Sequence, residues 1–290
     1  MTRAGFVAVV GKPNVGKSTL LNRLVGEHVS VTSPKAQSTR TRVVGIVTQD
    51  AVQMVLHDTP GLMTPHDILH ESMRAHSLAA ISDADVVLHL LDGTTARHGS
   101  LVEEANLEKT PSAPIVTAFT KIDLVNDTRA AELLGTRPDA FGVSALTGAG
   151  LEALVARLNE LLPQSPFLYP EDDVSTHSLR YLAAEQVREA ALNQLEEEVP
   201  HSVACIVEEF REAEQPVYIR AVIYVERESQ KRIVVGARGS RIREIGRTAR
   251  ERIEALLGAA VYLDLWVKVL PNWRRDRVAL ERLGLLHSKD

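Results

Sequence analysis

A single cysteine, Cys205, stands in the 290 residues. No disulfide framework can form within the chain, and such sparing use of thiols fits a reducing cytosol. Cys205 sits in the apolar run Val203-Ala204-Cys205-Ile206-Val207, so a buried, inert thiol is expected there. No segment approaches about eighteen uninterrupted apolar residues, which excludes an ordinary membrane-spanning helix. The N-terminus, Met1-Thr2-Arg3-Ala4, enters a strand pattern almost at once, so no signal peptide is expected. Internal repeats and low-complexity tracts are also missing. What remains, 44% hydrophobic and 24% charged, is the composition of an ordinary soluble globular protein long enough for two domains.

Charge is plentiful but unevenly shared. Residues 1–214 carry 17 Lys+Arg against 29 Asp+Glu, net −12, whereas 215–290 carry 16 against 9, net +7. An acidic first part joined to a basic last part points to a polyanionic partner held by the C-terminal end.

The first part is organised around the apolar run Val7-Ala8-Val9-Val10. It leads into Gly11-Lys12-Pro13-Asn14-Val15-Gly16-Lys17-Ser18-Thr19 and then Leu20-Leu21-Asn22-Arg23-Leu24. Strand, glycine-rich turn and helix in that order are the context a P-loop requires. The glycines let the backbone approach a polyphosphate so that successive N–H groups face its oxygens, and the helix adds its positive end. Lys17 is expected at the β- and γ-phosphates, with the Ser18 hydroxyl on Mg²⁺.

Residues 27–41 are polar and without periodicity, a long loop of the kind that is usually functional. Two strands, 42–48 and 52–57, follow around the turn Gln49-Asp50-Ala51, and the second delivers Asp58-Thr59-Pro60-Gly61-Leu62. An acid at the end of a core strand beside a P-loop suits the magnesium shell. Helices are expected at 71–81, 100–108 and 151–161, and strands at 85–91, 114–119 and 140–143. This alternation implies a largely parallel sheet covered on both faces, made mixed by the 42–57 hairpin. Pro163 to Pro170 cannot continue a helix, so the expected division is 1–165, a linker at 166–176, and a second domain at 177–290. That second part reads as helix 178–195, strands 202–210, 217–226 and 231–235, helix 240–257, strand 260–269 and helix 273–285.

Thr120-Lys121-Ile122-Asp123 ends one strand, and Ser144-Ala145 follows the next. Asp123 can accept from guanine N1–H and its exocyclic amine, a donor pair that adenine lacks. The Lys121 stem can lie along the base, and Ser144-Ala145 can back it with a main-chain N–H. The order and spacing are those of a GTP/GDP-binding enzyme.

With these elements in place, the first 165 residues resemble the translation-factor-related GTPases and the Era family specifically. The resemblance rests on the P-loop, on Lys35-Ala36-Gln37-Ser38-Thr39-Arg40, on Asp58-Thr59-Pro60-Gly61 and on Ser144-Ala145. It implies that Thr39, with Ser38 as the alternative, closes switch I onto Mg²⁺ and the γ-phosphate. Ser18, Thr39 and Asp58 then form the metal set, and Lys17, Thr39 and Gly61 the catalytic one. Leu62 stands where Ras-type enzymes carry a water-orienting glutamine, so slow intrinsic turnover is expected. Related GTPases with an apolar residue there use a P-loop asparagine to hold K⁺; here that is Asn14, for which turn chemistry after Pro13 is the other reading. The family pattern Asn-Lys-x-Asp begins here with Thr120, which removes an amide that ties the base loop to the P-loop. Affinity is then at risk, while specificity rests on Asp123.

The second part carries Gly236-Ala237-Arg238-Gly239, read as a loop between a strand and a helix, and resembles a KH-type (type II) domain. Such a loop passes close to a nucleic-acid backbone. From Arg227 to Arg252 there are nine Lys+Arg against three Glu. Ile242, Ile245, Ala249, Ile253 and Leu256 keep one helix face apolar, leaving the arginines free to meet phosphates. Arg238, Arg241 and Arg243 are the expected RNA contacts. Trp273 either stacks on RNA or anchors the core.

The fold class implied is α/β, a P-loop GTPase domain with a mixed, mostly parallel sheet followed by a smaller α+β KH-type domain. The resemblance implies GTP-dependent binding of the 3′ region of small-subunit ribosomal RNA during ribosome assembly. It also implies residence in the cytoplasm and peripheral association with the cell membrane. An RNA-binding scaffold with a largely structural nucleotide site and a related ribosome-assembly or RNA-modification GTPase are the alternatives.

Overall fold

The computed structural model describes residues 1–35, 37–95 and 97–287. It divides into two units, Met1–Ser30 with Thr39–His66 and His70–Thr176, and Val31–Ser38 with Asp67–Leu69 and the chain from His177 onward.

The first unit runs β1 (Arg3–Val10), α1 (Lys17–Val25), β2 (Val43–Gln49), β3 (Val52–Asp58), α2 (Ile68–Asp83) and β4 (Val86–Asp92). It continues with α3 (Leu101–Ala105), β5 (Ile115–Thr120), α4 (Asp127–Thr136), β6 (Phe141–Gly142) and α5 (Leu151–Leu161). The sheet order is β2-β3-β1-β4-β5-β6. All neighbours are parallel except β2 and β3, which pair antiparallel from Val43↔Asp58 to Gln49↔Val52. The central strands are apolar on both faces because both are covered: Val7, Ala8, Val9 and Val10 are at most 1% exposed. Parallel strands end on the same side, so the P-loop, Asp58, Asp92 and Thr120 all emerge from one edge of the sheet, where open α/β sheets bind ligands.

In the first unit α2 begins at Ile68 and ends at Asp83, longer at both ends than the expected 71–81, and two further helices differ from the sequence-based expectation. Helix α3 stops at Ala105, short of the expected 108, because Asn106 turns left-handed at φ 48°. It opens with a capping box in which Ser100 and Glu103 exchange bonds. Helix α4 was not expected; the Asn126 side chain accepts from the Arg129 N–H and starts it.

The proline-rich stretch after α5 lies along the first unit. Gln53, fully buried, accepts from the N–H groups of Leu168 and Tyr169 and donates to the Tyr169 carbonyl. The Ile46 N–H donates to Val174 O, and the Ser175 hydroxyl to Val44 O.

The second unit runs α6 (Leu179–Gln194), β7 (Ala204–Arg211), β8 (Val217–Val225), α7 (Glu228–Val235), α8 (Ser240–Leu257), β9 (Val261–Val269) and α9 (Arg277–Arg282). Its sheet, β7-β8-β9, pairs β7 and β8 antiparallel and β8 and β9 parallel. Alternate residues of β8, from Val217 to Val225, meet Val187, Ala190 and Ala191 of α6 and Ile245, Ala249 and Ile253 of α8. Leu257 packs on this core rather than the expected Leu256.

Residues 231–235, expected as a strand, belong to helix α7. Ile233-Val234-Val235 is only three residues long, and the preceding Glu-Ser-Gln-Lys-Arg tolerates a helix. The Gln230 side chain accepts from the N–H groups of Glu226 and Arg227, and Val234 alone of the three is fully buried. Packing therefore overrides β-propensity. The expected helix 273–285 is a 3-10 turn, Trp273–Arg275, followed by the short α9, whose start is capped by Asp276. Trp273 is a core anchor, with its indole N–H donated to Ser202 O at 3.0 Å. Cys205 is partly buried, and desolvation pushes its thiol well above the ordinary range, as suits an inert group.

Candidate functional site

The P-loop takes its shape from positions no side chain could share. Gly11 has φ 151°, and a Cβ there would sit 2.5 Å from Leu90 O. Lys17, at the start of α1, is 6% exposed and donates to Gly11 O and Lys12 O at 3.2 and 2.9 Å. Burial lowers its pKa to about 8, with Asp58 and Glu104 acting in the opposite direction. Lys12 extends to Glu104 at 3.1 Å, and the other carboxylate oxygen of Glu104 meets His89 at 3.1 Å. Asn14 takes φ 61°, a conformation that asparagine tolerates in turns.

At the end of β3, Asp58 is fully buried. Its Oδ2 accepts from three hydroxyls, Ser18 at 2.6 Å, Ser30 at 2.7 Å and Thr39 at 3.1 Å, and Ser18 and Thr39 lie 3.0 Å apart. Its Oδ1 is buried without a hydrogen-bond partner. Desolvation raises its pKa, opposed by Lys17 and the hydroxyls. A buried carboxylate with one oxygen unclaimed, among hydroxyls, is the donor set of a hard divalent cation. Of the two switch I candidates, Thr39 stands in this cluster, while the Ser38 carbonyl accepts from Arg188 at 2.6 Å. Within the same motif, Ala36 lies outside the described residues.

The segment after Asp58 is tied down by its backbone and by small hydroxyls. Thr59 donates to Val9 O at 2.8 Å, Ser77 to Pro60 O at 2.9 Å, and the Leu62 N–H to Gly11 O at 3.0 Å. The Leu62 side chain packs in the core with Ala8, Val10, Ala80 and Ile81. Gly61 lies so close to the P-loop that a Cβ would approach Pro13 N to 2.7 Å.

Thr120 corrects one expectation. Its hydroxyl is buried and donates to Val15 O at 2.6 Å, with Leu91 O at 3.2 Å, so the tie between base loop and P-loop survives without the amide. Lys121 meets Asp92 at 2.6 Å, and Asp123 lies exposed in the turn Ile122–Leu124. A bond from Ile122 N to Val143 O sets this turn beside Ser144-Ala145. Ser144 is fully buried and its hydroxyl accepts from Thr147 N–H, holding that loop in shape.

In the second unit, Gly236-Ala237-Arg238-Gly239 joins α7 to α8 and not, as expected, a strand to a helix. Gly236 and Gly239 have φ 73° and 75°, and a Cβ on Gly236 would meet Arg241 N at 2.9 Å. Beside the loop, a groove of about 370 Å³ has Ile242, Leu263 and Leu265 as apolar walls and Arg243, Arg247 and Arg250 along its rim. Gly246 opens it, since a Cβ there would sit 3.3 Å from Leu265. Contrary to expectation, not all of these arginines are free: Arg247 pairs with Glu244 and Glu251, and Arg250 lies 3.9 Å from Glu254. Loop, groove and Arg243 together can hold a single strand by its backbone while bases enter the apolar channel.

Sequence reasoning missed Ser30, Glu104 and Asp92. Nothing in their spacing marks them, because each reaches its partner only across the folded sheet. Arg247 and Arg250 lie in the basic run of 227–252, but Gly246, Leu263 and Leu265 carried no signal until the groove formed.

A P-loop beside a hydroxyl-ringed carboxylate, with a helix–Gly-x-x-Gly–helix unit on the same chain, defines the class: a P-loop GTPase carrying a KH-type domain. Residues 6–121 match the 50S ribosome-binding GTPase family, and 198–274 match the KH domain family. The chain is 40% identical over 290 residues to GTPase Era of Carboxydothermus hydrogenoformans, covering 97% of each. It is 43% identical to GTPase Era of a Nocardioides species, covering 97% of this chain and 96% of the relative. Among solved structures it is similar to Era in complex with MgGDPNP and nucleotides 1506–1542 of 16S ribosomal RNA, with TM-score 0.93, 39% identity, and 99% and 100% of the two chains covered. It is likewise similar to an Aquifex aeolicus Era variant bound to GDP and AlF4⁻, with TM-score 0.92, 38% identity and the same coverage. The chain belongs to the Era family of GTPases.

Proposed function

We propose that this GTPase is an assembly factor of the small ribosomal subunit that grips the 3′ region of its RNA through the KH-type domain and uses GTP hydrolysis to time release. The observation that carries the reading is that one chain holds both the Asp58 hydroxyl cluster behind a P-loop and the arginine-rimmed groove beside a Gly-x-x-Gly loop. The Era structure that contains nucleotides 1506–1542 of 16S ribosomal RNA supports the choice of RNA.

In this reading residues 1–165 form the GTPase domain, 166–176 the linker and 177–290 the RNA-binding domain. Gly11 to Thr19 cradle the phosphates, with Lys17 turning from the P-loop carbonyls to the β- and γ-oxygens. Ser18, Thr39 and Asp58 hold Mg²⁺, consistent with the unclaimed, buried Oδ1 of Asp58. When bound, the ion supplies charge neutralisation between the phosphates. Thr39 and the Gly61 backbone face the γ-phosphate. Leu62, fixed in the core, contributes no side chain to water, so unassisted turnover is slow. Asp123, the Lys121 stem and Ser144-Ala145 read guanine. Arg238, Arg241 and Arg243 hold RNA phosphates. Asn14 holds K⁺ beside the phosphates; equal hydrolysis rates in Na⁺ and K⁺ buffers would remove it from that role. The protein works in the cytoplasm, with peripheral membrane association read by co-sedimentation with anionic vesicles. Among the described residues no helix is long and apolar enough to cross a membrane.

The test is crosslinking and sequencing of bound RNA from lysate supplied with a non-hydrolysable GTP analogue or with GDP. Recovery of the small-subunit RNA 3′ region with the analogue alone supports a nucleotide-gated assembly factor. Equal recovery in both states, or recovery of transfer or messenger RNA, overturns it.

A further inference from the structure

The helical side of the second unit is basic, but the outer face of its sheet has a different chemistry. Side chains alternate along a strand, so Tyr262, Asp264, Trp266 and Lys268 of β9 share the face away from the core. Tyr262 and Trp266 are 58% and 53% exposed, unusual for rings of that size on a strand. Tyr218, the register partner of Tyr262 on β8, stacks on it at 5.8 Å with 13° between the planes.

The platform is held rigid from below. The Asp264 Oδ2 accepts from the Tyr218 hydroxyl, the Arg220 Nε and the Trp266 indole N–H, each at 3.1 Å. Arg211 lies 4.7 Å from the centre of the Tyr218 ring. The Tyr218 hydroxyl and the Trp266 indole N–H are engaged within the sheet, and the exposed rings of Tyr262 and Trp266 offer their π-faces outward. A rigid aromatic face surrounded by charges is how binding hot spots are built.

Charge selects the occupant. Every cation on the three strands is paired: Arg211 with Glu209 and Glu214, Arg220 with Glu209 and Asp264, and Lys268 with Glu208. The exposed turn after β7 adds Glu212, so carboxylates exceed cations. A nucleic-acid strand would meet no unpaired cation of these strands, although exposed rings on a sheet can stack bases. Most of these carboxylates are paired as well, and Arg282 of α9 reaches the Tyr224 ring, so what remains is a small net excess of negative charge, to which Glu212 contributes without an ion pair among the described residues. Cationic side chains would gain from the π-faces and from that excess.

We infer that the outer face of the β7-β8-β9 sheet docks a basic, extended segment of a partner protein. The spacing adds a constraint. Tyr262 and Trp266 are four residues apart on one strand, about 13 Å at roughly 3.3 Å per residue. An extended segment with cations four positions apart would place one on each ring, across Asp264.

Trp266 is its own reporter, because the only other tryptophan, Trp273, is fully buried. The full-length protein is titrated with an eleven-residue Gly/Ser peptide carrying arginines four positions apart, with its glutamate counterpart, and with a ten-nucleotide single-stranded RNA. Trp266→Phe supplies the blank. The arginine peptide is expected to change Trp266 emission saturably, and Tyr262→Ala to weaken it about threefold. RNA is expected to bind, read by anisotropy, without altering that emission. No response to the arginine peptide, an equal response to the glutamate peptide, or a response to RNA would each overturn the inference, the last by making the face an RNA platform. Tyr262 is exposed and outside the core, so its loss tests the face and not the fold.

Discussion

Replacing Thr120 by valine removes one hydroxyl and little volume, which isolates the bond from Thr120 Oγ1 to Val15 O at 2.6 Å. Both residues are buried, at 5% and 2% exposure, so water cannot take the place of the lost donor. A hydrogen bond contributes about 1 kcal/mol net, and a buried acceptor left without its donor costs about 1–3 kcal/mol. We expect Thr120→Val to lose about 2 kcal/mol in total. Without nucleotide this appears as a lower urea midpoint at unchanged m-value. Where the nucleotide needs P-loop and base loop in register, the loss appears as GDP binding weaker by up to about thirtyfold. Thr120→Ser keeps the hydroxyl and is expected to retain both properties. Thr120→Asn brings two N–H donors, enough for Val15 O with one to spare, and is expected to bind at least as tightly as the parent. Titration with a fluorescent GDP analogue and urea unfolding read both quantities. A Thr120→Val protein matching the parent in midpoint and affinity would refute the tether.

His57 is buried beside Phe6, and burial with the nearby Arg42 holds its pKa at about 4 against an ordinary 6.5. A depressed histidine contributes stability that is complete above pH 6.5 and is lost as pH falls through 4, here about 3 kcal/mol. His57→Gln should therefore flatten unfolding free energy against pH between those limits, and identical slopes would exclude the assignment. Gly61→Ala puts a Cβ 2.7 to 2.8 Å from Pro13 atoms, so the P-loop must move. GTP hydrolysis should fall on the order of tenfold or more with the fold intact by circular dichroism, and an unchanged rate would show that the loop yields freely. Arg238→Glu should weaken RNA binding and lower the slope of log affinity against log salt by about 1; the same slope in both proteins would remove the loop from the interface.

Much of the nucleotide site was legible in the sequence because its chemistry is local. A phosphate cradle needs glycines, a lysine and a hydroxyl at fixed spacing on one turn, and Gly11 to Ser18 carry them within eight residues. Asp58 was also readable, since an acid closing an apolar strand has no packing role to fill. The charge split between the two parts and the Gly-x-x-Gly loop marked a second, polyanion-binding end in the same way. What the chain order hid was decided by packing across the sheets. The strand expected at 231–235 became α7, since a three-residue β-branched run is too weak a local preference to resist a capped helix that buries Val234. Ser30 joined the Asp58 cluster from 28 residues away, and the Thr120 hydroxyl found Val15 O across 105. Such contacts leave no periodic trace in a sequence, because hydrogen bonds between distant segments are fixed only when the backbone brings donor and acceptor within about 3 Å. The aromatic face of the second sheet is of the same kind: Tyr218 and Tyr262 become neighbours only through the register of β8 and β9.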